Sequence, residues 1–346
     1  MHPFVAVTLV LCVLWALIGP LVSEKIEKRL ERFMLAMGVT AVTVSWSWSE
    51  AVLLEALLRP MKVCGALLLG CLVFSFTHDH IRRGVRRAMG RMDYRLAAAA
   101  AVTLLALSAC VLTTVIATLA LVEVLSAMEL ERGSELRVAV LGCFAIGLAS
   151  GLTSIAGPIP AVAVAKLSQA AYEVDKMYLW SLLSPWLVPA MLGLGVLTGV
   201  LLPKTYKARK EPLKEDPLTL WHMLVLTTRM YVFIAGLVLL GAGLVPLIDQ
   251  VLLGAPPWLL YWLNSVSAVV DGATLASVEL SPRMSQEQLR YTLLAIIIAG
   301  GALITGNAHN LVAAHRLAIP AKRWAAVGAP VAGVLMAFYF LSLLVY

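Results

Sequence analysis

The chain has 346 residues, of which 61% are hydrophobic and 14% charged, with a mean hydropathy of +0.89. Soluble globular chains carry about 45–50% apolar and about 25% charged residues, so an ordinary cytosolic enzyme and a disordered chain are both excluded. The net charge of +7 sits in short basic clusters between apolar stretches rather than among aromatics, which points to a lipid bilayer and away from nucleic acid.

Eight stretches have spanning length: about 3–22, 33–48, 59–77, 136–170, 177–202, 218–247, 288–317 and 324–346. The first lacks a basic leader and a small-residue cleavage site, and Lys25, Lys28, Arg29 and Arg32 follow it. It reads as a retained span with its N-terminus outside. Two further apolar stretches, about 95–127 and 256–280, are interrupted by polar residues. Cys12, Cys64, Cys71, Cys110 and Cys143 all lie in apolar runs without metal-type spacing, as core residues do.

The loops at 23–33, 78–95, 128–137, 203–215 and 316–323 hold 20 of the 27 Lys and Arg residues, and the alternate loops hold 5. The basic set is therefore assigned to the cytoplasm, which leaves both termini outside an inner or plasma membrane. Stretches 95–127 and 256–280 must then enter and leave on one side each, as opposed re-entrant hairpins. Non-helical backbone at such depth survives only inside protein or around a wet cavity.

The chain also repeats itself. Residues 117–124 read ATLALVEV, and residues 273–280 read ATLASVEL. Each is followed by an interrupted apolar stretch that ends in a basic residue and Leu, GLTSIAGPIPAVAVAKL and ALITGNAHNLVAAHRL. The expected organisation is an N-terminal two-helix scaffold extension (1–58), repeat 1 (59–202), a basic linker (203–217) and repeat 2 (218–346). The repeats have inverted topology. Matched interruptions in two inverted halves are the sequence mark of a secondary transporter's binding site.

The first interruption carries Thr153, Ser154 and Gly157 before Pro158 and Pro160, which remove two amide donors and free carbonyls as ligands. The second carries Thr305, Gly306, Asn307, His309 and Asn310, too many polar groups for packing alone. The outward hairpin carries Asn264, Ser265, Asp271 and Thr274. A carboxylate at membrane depth costs at least about 2.5–3.5 kcal/mol and usually serves function, here as a tentative sodium ligand or a proton carrier. Thr113 and Thr114 lie at the inward hairpin tip, and Glu123 and Glu279 occupy equivalent repeat positions. His309 and Glu123 are candidate proton relays. Nucleotide-binding, hydrolase and zinc-protease motifs are absent, so neither an enzyme nor a resident cofactor is expected.

The stretches VVDGATLASVELSPRMS, GGALITGNAHNLVAAHRLAIPAKRWAAVGAPVAG and CFAIGLASGLTSIAGPIPAVAVAKL resemble the ion transporter superfamily, and within it the domain-of-unknown-function 1646 family. The resemblance implies scaffold and transport subdomains, a homodimer and elevator-type movement. Related branches are sodium/proton antiporters, arsenite permeases and dicarboxylate carriers. It implies site roles for Asp271, Thr274, Gly306, Asn307 and Asn310. The sequence departs from the family pattern at Ala156-Gly157-Pro158, where Gly-Glu-Pro is expected, and at His309, where Pro is expected. The leading expectation is sodium/proton antiport. The alternatives are an oxyanion or carboxylate carrier, and a non-transporting membrane protein on the same fold.

Overall fold

The computed structural model describes residues 3–167, 177–209, 220–252, 256–268, 272–280 and 284–345. All regular structure among them is helical: α1 (Pro3–Val22), a single turn α2 (Glu24–Glu27), α3 (Leu30–Ser45), α4 (Glu50–Arg91), α5 (Tyr94–Ala109), α6 (Thr114–Met128), α7 (Arg132–Ser150), α8 (Pro158–Leu167) and α9 (Tyr178–Leu201). Then follow α10 (Leu220–Leu252), α11 (Pro257–Leu263), a 3₁₀ turn (Asn264–Ala268), α12 (Gly272–Glu279), α13 (Gln286–Ala299), α14 (Ala308–Arg316) and α15 (Ala321–Val345).

Among the described residues, six helices are long and apolar enough to cross a membrane: α1, the Glu50–Thr77 part of α4, α7, α9, the Leu220–Ile248 part of α10 and most of α15. The protein is therefore an all-α, multi-pass membrane protein. The eight expected stretches differ from this count because α3, with 16 residues, and α13, with 14, are each too short alone. A second difference concerns α4. A loop was expected at 78–95, but the helix starts at Glu50 and runs unbroken to Arg91. Ser49 caps its start by accepting the Val52 amide at 3.2 Å, and Arg and Ala in its last turns are good helix formers. Its 42 residues span about 63 Å, roughly twice the hydrocarbon thickness.

Helices α7 and α13 are buried on nearly every side, as helices apolar all round should be. Glycine brings their surroundings close. A Cβ on Gly301, just past α13, would lie 2.3 Å from the Phe144 ring of α7. In the α3–α10 pair the close approach is to backbone. A Cβ on Gly38 would meet the Gly236 carbonyl at 2.4 Å, and one on Gly236 would meet the Leu35 amide at 2.5 Å. Small residues let membrane helices touch backbone to backbone, where dispersion rather than hydrophobicity holds them.

The basic connections meet at one end of the bundle. Arg209 pairs with Glu135, and Arg132 donates to the Leu317 carbonyl at 2.8 Å. Arg86 lies 3.8 Å from Glu129, and Glu27 accepts the Ala321 amide. The segment after α9 also pairs with the α6–α7 connection, Leu130 opposite Ala208. Connections far apart in sequence thus form one charged face.

Candidate functional site

Two helices are broken where the sequence places Gly and Pro. Residues 151–157 separate α7 from α8, and residues 300–307 separate α13 from α14. The first break is tied to the turn between α5 and α6. The Thr114 amide donates to the Ala156 carbonyl at 3.1 Å, and the Thr153 hydroxyl donates to the Cys110 carbonyl at 2.5 Å. Cys110 Sγ contacts the Ala149 carbonyl at 3.5 Å. Thr113 caps α6 by accepting the Ile116 amide at 3.4 Å. The helix pairs cross: α6 packs on α14, and α12 packs on α8.

Between these elements lies a cavity of about 290 Å³. Both breaks line it through Ser154, Gly157, Gly306 and Asn307, the α5–α6 turn through Thr113 and Thr114, and α12 through Gly272. Four helix N-termini reach the lining, those of α6, α8, α12 and α14. Their positive dipole ends favour negative charge, although at α6 the Thr114 and Ile116 amides are already spent on Ala156 and Thr113. The Pro residues at 158 and 160 leave α8 with fewer amide donors than an ordinary helix start. Asn307 precedes α14 without capping it, so its amide group is not spent there. His309 is buried, and its Nε2 lies 3.3 Å from the Cys143 carbonyl. A carbonyl only accepts, so Nε2 is the donor, and in the neutral ring Nδ1 is left as an acceptor.

Sequence reasoning missed Arg59 and Lys62. Both line the cavity from α4, and Arg59 also pairs with Glu55 at 3.1 Å. The basic count groups them with the connection at 46–62, which overlaps the start of the expected span 59–77, but the helix continues through Pro60 and sets them three residues apart, on one face. That spacing was the available signal.

The remaining candidates lie elsewhere. Thr305 and Asn310 are buried but outside the lining. The Asn310 amide donates to the carbonyls of Gly300 at 3.1 Å and Leu303 at 2.9 Å, so it braces the second break. Ser265 is exposed, and Asn264 is buried with Nδ2 donating to Glu279 Oε2 at 2.9 Å. Thr274 belongs to α12. Asp271 lies outside the described residues and directly precedes Gly272 of the lining. Glu123, a candidate relay, is paired with Arg316 at 3.0 Å and stands well apart from the lining residues in the chain.

Fold and site together define a helical membrane protein with a largely apolar cavity between broken helices, into which a few polar and basic groups converge. The chain belongs to the family described as protein of unknown function DUF1646, which it matches over residues 5–346. Comparison with curated proteins gives no match.

Proposed function

We propose that the protein is a secondary transporter and that its substrate, a small anion such as an oxyanion or carboxylate, binds in the cavity between the two breaks. The observation that carries this reading is the convergence of four helix N-termini with Arg59 and Lys62 on one cavity. Dipole ends and basic side chains on one cavity reinforce one another, and both select against a bare cation. Among the described residues no Asp or Glu lines the cavity, and Glu55, which pairs with Arg59, lies outside the lining.

The crossed packing of α6 on α14 and α12 on α8 supports two inverted repeats, each supplying one hairpin and one broken helix. The shared basic face supports a cytoplasmic end there, with both termini outside. Elevator-type movement and a homodimeric scaffold follow from the family resemblance alone.

A second reading is sodium/proton antiport at Asp271. It is favoured by Gly272 lying in the lining, since its neighbour Asp271 is adjacent in the chain. A carboxylate that takes either ion gives exchange by competition.

Both readings are tested by exchange of radiolabelled sulfate, citrate and sodium in proteoliposomes. An anion carrier loses roughly 10–100-fold in apparent anion affinity in Arg59→Gln or Lys62→Gln, from the loss of about 1.5–3 kcal/mol per charged hydrogen bond. Sodium exchange lost in Asp271→Asn, with no anion exchange in the wild type, establishes the second reading instead. No flux of any of these ions by folded wild-type protein overturns both and leaves a non-transporting membrane protein.

A further inference from the structure

The two repeats place a glutamate at matching positions, and the structure treats the two differently. Glu123, on α6, has an arginine partner, Arg316 at 3.0 Å. Glu279 ends α12 and is just as buried, but its hydrogen-bond partner is a neutral amide, Asn264 Nδ2 at 2.9 Å. It also sits at the negative end of its helix, where a carboxylate is disfavoured. Asn264 is itself 1% exposed, and its Oδ1 is buried without a hydrogen-bond donor.

Among the described residues, the groups that could compensate a charge here are few. Among elements packed on α12, α8 carries Lys166, and α13 carries Glu287, Arg290 and Tyr291. The half of α10 beyond Tyr231 carries Asp249 as its only ionisable residue, and the 3₁₀ turn carries none. Arg290 lies 5.7 Å over the Trp186 ring, and Tyr291 packs edge-on to Tyr261. Lys166 makes no ion pair with Glu279.

An ionised carboxylate buried against one neutral amide is costly, and so is an orphaned amide oxygen. One proton removes both costs. On Glu279 it neutralises the charge and supplies an O–H donor for Asn264 Oδ1. We propose that Glu279 and Asn264 form a proton-carrying site, in which the Glu279 carboxyl holds its proton at neutral pH and releases it to water when the hairpin is exposed. The other end of α12 is at the cavity, so the same short helix links this proton to whatever binds there. That link to transport rests on the function proposed above; the protonation itself does not.

The test is infrared difference spectroscopy of the full-length reconstituted protein, wild type beside Glu279→Gln. Gln keeps an N–H donor toward Asn264 Oδ1 and removes the titratable group, so the variant is expected to fold. The expected result is a protonated-carboxyl stretch at neutral pH that is absent from the variant. In Asn264→Ala the same stretch moves as its hydrogen bond is lost. Identical carboxyl regions in wild type and Glu279→Gln would overturn the proposal. Coupling is read separately, by anion exchange in proteoliposomes with and without a pH gradient. Glu279→Gln should keep exchange and lose accumulation driven by the gradient; retained accumulation would remove the coupling role. Wild-type protein that exchanges no ion sinks the transport reading, while the infrared result still decides where the proton is.

Discussion

Asn310 is completely buried, and its amide group donates to two carbonyls of the second break, those of Gly300 and Leu303, the latter also accepting the Gly306 amide. Its neighbour Asn307 faces the cavity and has no capping role. The two asparagines therefore predict opposite phenotypes. Asn310→Ala takes a donor from two buried carbonyls, of which that of Leu303 keeps the Gly306 amide, and should cost about 1–3 kcal/mol, visible as a lowered Tm in detergent. Asn307→Ala should leave Tm within the spread of neutral variants and weaken ligand binding instead. Equal thermal losses in both would contradict the division of labour. From the sequence, both read as ion ligands, because composition shows that an amide is buried but not which acceptors surround it.

At the scale of elements, the ion pair between Arg316 and Glu123 joins α14 to α6, two helices from opposite halves of the chain. Glu123 is 6% exposed and Arg316 19%. Removing one partner of such a pair leaves a charge with little water to solvate it. Glu123→Gln should therefore destabilise by about 2–4 kcal/mol, less than a fully enclosed pair because Arg316 retains some solvent. Replacing both residues with Gln and Met should recover much of that loss, and a double-mutant cycle measures the coupling. Additive single-variant effects would mean that the pair contributes nothing beyond packing. The α3–α10 contact belongs to the same scale. Its glycines are tolerated inside helices because they let the two backbones meet.

For the whole molecule, the arrangement of basic connections carries the sidedness. Five segments scattered along the chain are joined by hydrogen bonds and ion pairs at one end. The α3–α4 turn, with Trp46 90% exposed, belongs to the set of connections poor in Lys and Arg. Four of the five native cysteines are buried, so thiol labelling starts from a low background. In intact cells, Trp46→Cys should react with an impermeant maleimide. Arg87→Cys, on the arginine-rich end of α4, should react only after permeabilisation. The reverse pattern would invert the topology and with it the inward and outward assignment of the two hairpins.

Much of this was readable from local chemistry. Apolar length marks the long helices, Pro158, Pro160 and the glycines mark the breaks, and Thr113 marks the start of α6. Each depends on residues within a turn or two, so the sequence by itself determined them. It also determined the family, resembled in three stretches and matched over residues 5–346. The length of α4 was less legible, because a charged helix that leaves the bilayer looks like a loop to a hydropathy reading. For the same reason Arg59 and Lys62 were not connected with the cavity. Only the tertiary structure decided what each buried polar group faces. The blocks ATLALVEV and ATLASVEL are nearly the same, yet Glu123 meets an arginine 193 residues away and Glu279 meets an amide 15 residues away. Burial and charge compensation depend on contacts between segments, and a local pattern does not contain them.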